Sequence, residues 1–414
     1  MKTFFSVLSI GLAINLAEAA LASEGSYALK VLPSEARQMA DPQTGAELLF
    51  LTTNPADDQN LYYEQRSWLS DSSLILFNSS RTNGGLMGFL TATRELVRLA
   101  TQSGGLGSAT AARSRNSVFA VRGAEVLELS LQIEPSNHSA EVPSKVTASE
   151  RIICSLPQEY LPPNTSLSEN ADGTLLSLGA GGRGNWNTNN FGRVITIDVQ
   201  TGKMSEITRV PATNFAGHVV FSRTNPDLLS FARGECWIEV MDVRKKESVF
   251  RHRKVEGEFC THHCWWLDDT ITFTGGFHPQ PTEDADVKAI NIRTGVTRII
   301  GKGSWWPGAT PSELGKNNWW HACGSETGRW VVADNWHGDI GIIHAKTTRT
   351  YVLTTGHRTY GHGTHPEVGW DRKGKQVIFA SHMLGDVNVC VATIPQAWQD
   401  AWASQCSVES EPAH

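Results

Sequence analysis

Along most of the chain, hydrophobic and polar residues alternate with a period of two in short runs, and clusters of Asp, Asn, Gly and Thr separate the runs. Period-two alternation puts successive side chains on opposite faces of a strand, and the intervening clusters have the composition of hairpin turns. The runs group into a unit that recurs. A short strand leads into a polar turn, an apolar strand follows, a second polar or Gly-rich loop comes next, and two further strands close the unit, often split by Thr-Gly. The units start at "SWLSDSSLILFNSS" (67), "AARSRNSVFAVRG" (111), "SENADGTLLSLGA" (168), "HVVFSRTNPDLLSFA" (218), "HHCWWLDDTITFTGG" (262), "HACGSETGRWVVADN" (321) and "HPEVGWDRKGKQVIFAS" (365).

Four antiparallel strands in each of seven units predict an all-β chain folded as a seven-bladed β-propeller. The closing strands "ITIDVQTGKMSEIT", "IEVMDVRKKESVFRH", "AINIRTGVTRII" and "IGIIHAKTTRTYVLT" fit the same division. The last unit ends after three strands at "VNVCVATIP", while "QTGAELLFLTT" near the N-terminus is a strand without a unit. The N-terminal strand near residues 44–52 is therefore expected to close the last blade and cover its edge. No helical segments of 10–15 residues separate the strands, as a parallel α/β sheet would require.

The first strand of a propeller blade lines the central channel. His262 precedes Asp268 by six residues and His365 precedes Asp371 by six, and His218 and His321 hold nearly the same place in their units. Four consecutive blades are thus expected to bring four imidazoles to one channel mouth, whereas the first three units carry Ser67, Ala111 and Ser168 instead. One such histidine is ordinarily a hydrogen-bonded plug. Four in register on one side of a channel point to a site. The loop "GHRTYGHGTHPEV" adds His357, Tyr360 and His362, and His321 with His365 and either His362 or Tyr360 makes a nitrogen-rich set suited to a divalent Mn or Zn ion.

"GEFCTHHCWW" (257–266) forms one wall of that mouth. By strand alternation His262 and Cys264 share a face, as do His321 and Cys323, while His263 and Trp265 point toward the packing between blades. Two further arrangements stay open: a Cys264–Cys323 disulfide, and a structural zinc cage of Cys236, Cys260, His262 and Cys323. The Trp doublets at 265–266, 305–306 and 319–320 are mostly core by composition, with sugar stacking as the alternative; Trp265 and Tyr360 are the substrate-contact candidates.

Composition narrows the partners. The 414 residues carry 36 Lys and Arg against 42 Asp and Glu, a formal charge of −6, without a basic run, which argues against nucleic acid. The opening "MKTFFSVLSIGLAINLAEAALASEG" has a Lys, an apolar run and an Ala17-Glu18-Ala19 cleavage pattern, so residues 1–19 are expected to be a secretory signal and residues 20–414 one exported propeller domain. No later segment approaches the ~20 apolar residues of a spanning helix, so no membrane partner is expected. Sequons stand at Asn78, Asn137 and Asn164, and seven cysteines leave one unpaired if the rest form disulfides. The oligomeric state is not legible.

The stretches "TGAELLFLTT…LYYEQRSWLSDSSLILFNSSR", "HVVFSRTNPDLLSFA", "CTHHCWW" and "HPEVGWDRKGKQVIFASHMLGDVNVCVATIP" resemble the oligogalacturonate lyases, seven-bladed propellers that cleave uronic-acid oligosaccharides by β-elimination. The related ulvan lyases share that chemistry. The resemblance implies an acidic oligosaccharide or polysaccharide as partner, His262 as the catalytic base, and His321 and His365 as metal ligands. In the family's Gln-x-x-His-x-His-Pro metal motif, Tyr360 stands for Gln and Gly363 for the middle His, with His362 adjacent. The family's substrate Arg falls on Glu235, which makes Arg233 the nearest candidate, and His218 completes the catalytic set. Such a site serves a lyase because a cation must neutralise the uronate carboxylate before a neutral imidazole removes the C5 proton. A non-catalytic propeller binding glycans or proteins through the same mouth is the reading from another class.

Overall fold

The computed structural model describes residues 25–81, 84–136, 142–180, 191–211, 217–234, 236–276, 285–303, 318–335, 337–358 and 365–407, apart from the side chains of Phe191 and residues 402–407. The leader expected over 1–19 lies outside the described residues. Seven antiparallel sheets follow one another as blades of a propeller. Blade 5 illustrates the unit: Thr261–Trp265 is innermost, followed outward by Thr270–Gly275, Asp286–Asn291 and Thr297–Gly301.

Burial explains the sequence pattern across a blade. The second strand of blade 5 is buried along both faces from Ile271 to Gly275, because neighbouring blades cover it on each side. Near-continuous apolar sequence is what such a position needs. The outer strand Lys145–Ser155 of blade 2 alternates buried and part-exposed residues over most of its length, since only one face reaches the next blade. Between blades 5 and 6 the core is Trp266, Val287, Ala289, Trp319, Val331 and Ile343.

The outer hairpins turn on a shared device. Asp198, Asp242 and Asn291 each accept backbone N–H bonds from the residues two and three positions on, at 2.7–3.1 Å. A left-handed residue follows: Gly202 at φ +70°, Lys246 at +58° and Gly295 at +72°. Gly202 has a second reason to be Gly, since a Cβ there would lie 2.1 Å from the Ile153 carbonyl oxygen.

The last blade takes its outer strands from the N-terminal end of the chain. Glu47–Phe50 pairs with Asn388–Thr393 in the register Leu49↔Val391, and Arg37–Ala40 pairs outside it. The same segment continues backward over two more edges: Lys30–Leu32 adds to blade 1 and Tyr27–Ala28 to blade 2. Three blade edges are thereby covered by 24 consecutive residues, 27–50. A helix, Gln396–Ser407, follows the last blade.

Candidate active site at the channel mouth

Strand register fixes which residues are equivalent at the channel mouth. In blade 5, Trp265 pairs with Ile271, the second residue of the second strand, and His262 stands three residues before it. The same count gives Gln65, Ser108, Ser166, His218, His321 and Glu367 in blades 1, 2, 3, 4, 6 and 7. His218, His262 and His321 thus share one ring position. His365 does not: Glu367 holds that place in blade 7, and His365 lies two residues earlier. Counting back from Asp misled because Asp371 directly follows Trp370, whereas Asp268 comes three residues after Trp265. In the first three units the ring residues are Gln65, Ser108 and Ser166, in place of Ser67, Ala111 and Ser168.

The ring position is strained. Ser108, His218, His262 and Glu367 have φ between +47° and +54°, and the inner strands of blades 2, 4, 5 and 6 change register there. A non-glycine residue in this region costs about 1–2 kcal/mol. The bulge breaks strict alternation and aims the side chain into the mouth. His262 accordingly faces the other imidazoles, while Cys264 lies deeper in the channel.

Four histidines from four blades meet. Ring centroids are 5.5 Å apart for His218–His262, 4.3 Å for His262–His321 and 5.5 Å for His321–His365. Trp320 walls the group, 4.8 Å from His262 and 6.0 Å from His365. Tyr62 stacks on His218 at 5.9 Å, and Tyr63 lies 5.2 Å from His321. Beside them opens a cleft of about 520 Å³ bordered by Tyr62, Glu64, Asn164, His218, Trp237 and His262, within the size range of small-ligand sites.

Buried acids orient the ring. His321 Nδ1 is 2.8 Å from Asp334 Oδ2, and the His321 backbone N–H donates to Asp334 Oδ1 at 2.7 Å. The Glu367 N–H donates to Asp334 Oδ2 at 3.0 Å. His218 Nδ1 lies 2.5 Å from Glu64 Oε1, and the Tyr63 hydroxyl is 3.1 Å from the same oxygen and 2.9 Å from the His263 carbonyl. His262 Nδ1 sits 2.9 Å from Thr261 Oγ1. Desolvation, reinforced by the neighbouring imidazoles, holds His262 and His321 well below the usual histidine range, so both are neutral at pH 7. Desolvation likewise lifts Asp334 to about 6, and with Asp334 and Glu64 nearby it lifts Glu367 to about 8.

The other sequence candidates are placed as follows. Tyr360 and His362 lie outside the described residues. Trp265 is 1% exposed and donates Nε1 to the Val220 carbonyl at 3.0 Å, so it packs between blades 4 and 5 and offers no face to a sugar. Trp319 is equally buried, which leaves Trp320 as the aromatic of that doublet at the site. Arg233 pairs at 2.9 Å with the buried Glu239 inside blade 4, and it is not among the residues bordering the cleft. His357 is fully buried, bonded to Thr354 Oγ1 at 2.6 Å and Ser381 Oγ at 2.8 Å, and is not among the residues bordering the cleft.

The zinc cage does not assemble. Cys260 joins His252 and Glu258, the one trio among the described residues with donor atoms within 4.8 Å of one another, and Lys288 Nζ lies 3.7 Å from that glutamate. Cys323 instead faces Cys264, both as thiols with sulfurs 3.9 Å apart. At the mouth, His321 and His365 are two candidate ligands, and the further candidates Tyr360 and His362 lie outside the described residues. Tyr62, Tyr63, Glu64, Asp334 and Glu367 were not singled out by sequence reasoning, although "LYYEQ" directly precedes the first unit and Asp334 is a charge ending an apolar strand.

Neither a protein-family model nor a curated protein matches the sequence. Solved structures match by shape. An oligogalacturonate lyase in complex with manganese gives a TM-score of 0.69 at 17% identity, covering 89% of this chain and 98% of that one. An oligogalacturonate lyase from Vibrio parahaemolyticus gives 0.67 at 16% identity, over 91% and 100% of the two chains. The Cps50 propeller domain of Myceliophteria thermophila is more distant, with a TM-score of 0.50 at 11% identity over 81% and 96%. By this likeness the chain is a seven-bladed β-propeller with the fold of the oligogalacturonate lyases.

Proposed function

We propose that the protein is an exported lyase that cleaves uronic-acid-containing glycans by β-elimination at this mouth. The observation that carries the reading is the convergence of His218, His262, His321 and His365 beside an open cleft, on a fold shared with oligogalacturonate lyases. His262 and His321, held neutral by burial, accept either a proton or a cation.

A divalent ion fits the donor chemistry on the His321 side. Asp334 takes His321 Nδ1–H, which leaves Nε2 with its lone pair outward, the second-shell arrangement common to metal-ligating histidines. His321 and His365 would hold the ion, with His362 or Tyr360 completing the shell. When bound, it supplies positive charge that neutralises the uronate carboxylate and acidifies the C5 proton.

The chain's own residues then carry the proton traffic. His262 takes the C5 proton, the C5–H electrons become the C4=C5 double bond, and the C4–O bond breaks. In its imidazolium form, with Nδ1–H held by Glu64, His218 faces the same cleft and gives its second proton, from Nε2, to the departing oxygen. Tyr62 borders the cleft, and Trp320 packs against His262 and His365 beside it. Arg233 keeps its salt bridge to Glu239 and supports the blade.

Incubation of the purified protein with oligogalacturonates, ulvan and other uronate polymers, with Mn or Zn supplied, tests the proposal by the ultraviolet absorbance of C4–C5-unsaturated uronate. A rise on any polymer supports it; none on the whole panel favours a glycan-binding propeller.

A further inference from the structure

Below the histidine ring, the far end of the channel gathers four arginines. Arg66, Arg113, Arg223 and Arg372 come from blades 1, 2, 4 and 7, and Tyr63, Glu64 and Gln65 border the same space on its mouth side. Two carboxylates face them. Glu169 takes Arg66 at 2.7 Å and the Arg113 backbone N–H at 2.6 Å. Glu326 feels all four arginines, which hold it below the usual carboxylate range against the desolvation that raises it, yet it makes no ion pair within 4.0 Å among the described residues. Glu64 borders the same cavity, so four cations oppose three anions.

The remaining guanidinium hydrogen bonds go to neutral groups. Arg372 donates to the carbonyls of Trp68 and Ala112 at 2.8 Å, and Arg223 to the Gly324 carbonyl and to Cys323 Sγ at 3.2 Å. The Arg113 guanidinium makes no hydrogen bond, and its Nε is buried without a partner among the described residues. Burial and the neighbouring Arg66 push Arg113 down to about 10. The four arginines and Glu326 are part-buried, and charge in excess in such a place is costly unless something pairs with it.

Room for the missing charge exists. A cavity of about 30 Å³ is bordered by Arg66, Arg113, Arg223, Cys323, Glu326 and Trp370. One water needs roughly 10–15 Å³ by the same kind of measure, so the space takes a single small ion and excludes a sugar carboxylate. All seven turns from the first to the second strand, which border this end, are described.

We propose that the lower channel is a binding site for one small monovalent inorganic anion of halide size, seated between the Arg113 and Arg223 guanidinium groups. The anion completes the charge balance of the channel and ties the inner strands of blades 2 and 4, which share no hydrogen bond among the described residues, and the site is independent of the reading of the mouth.

Thermal unfolding is followed while sodium chloride replaces sodium gluconate at constant ionic strength, so that only a specific anion effect moves the midpoint. Chloride is expected to raise Tm saturably by roughly 2–5 °C, the size a site filled well above its Kd gives. Arg113→Met abolishes the chloride effect. Should that variant fold poorly, Glu326→Gln removes an anion and is expected to enlarge the effect. Crystals soaked in bromide should show an anomalous peak between Arg113 and Arg223. Superposed chloride and gluconate curves for the unaltered protein overturn the proposal, even where a peak appears at soaking concentrations.

Discussion

His321 and Asp334 face each other across the first two strands of blade 6 in a two-point contact, the carboxylate taking both the ring Nδ1 at 2.8 Å and the backbone N–H at 2.7 Å. The contact fixes the tautomer and the aim of the ring at once. Asp334→Asn keeps the shape but loses the charge that favours Nδ1–H. Metal affinity at the mouth is expected to fall about 10–100-fold, measured by calorimetric titration with Mn or Zn, with the circular dichroism unchanged. Unaltered affinity would place the metal away from His321.

His262 and His263 are adjacent but should respond differently to removal. His262→Ala is expected to lower the elimination rate by roughly two to four orders of magnitude with little change in Tm, since its ring borders the cleft. His263 is fully buried with Nε2 3.1 Å from Ser230 Oγ, so His263→Ala should cost about 2–3 kcal/mol of stability while sparing the rate of the folded fraction. Loss of metal and stability, rather than rate, in His262→Ala would contradict the base assignment.

Arg233→Ala separates support from substrate contact. Among the described residues the buried Glu239 then keeps Arg251, at 2.8 Å, as its ion-pair partner, so stability should fall by roughly 1–2 kcal/mol. KM for a uronate oligomer is expected to stay within about twofold. A large rise in KM at unchanged Tm would return Arg233 to the substrate.

Burial pushes His357 down to about 3 against the pull of Asp41. The unfolded chain protonates this imidazole near 6.5, whereas the folded one does not until about 3. Its contribution is therefore complete above pH 6.5 and is lost progressively as pH falls from 6.5 toward 3. Denaturant titrations at pH 7 and pH 5 should show the wild type losing roughly 1–2 kcal/mol more than His357→Gln over that interval. Equal losses would mean that His357 is not held neutral by the fold.

The propeller was legible because every blade repeats the same alternation, and the unmatched "AELLF" strand announced how the ring closes. The strap from Tyr27 to Ala40 was not, because its strands are two to four residues long and too exposed to show a period. His218, His262 and His321 were readable from their shared place in the unit. His365 was misplaced by two residues because turn acids sit at different points in blades 5 and 7. Asp334 escaped notice because its partner His321 lies on the neighbouring strand of the same blade, and Glu367 and Tyr63 because their roles come from contacts between blades: Tyr63 of blade 1 reaches the His263 carbonyl of blade 5 across the channel.

Elimination and hydrolysis differ in what they take from water, and that difference tests the central claim most directly. The protein is incubated with a uronate oligosaccharide in heavy-oxygen water and the products are weighed by mass spectrometry. β-Elimination from His262 predicts one product with a C4=C5 bond and no label in either fragment. Label at the new chain end, or intact substrate across the uronate panel with metal present, would contradict it.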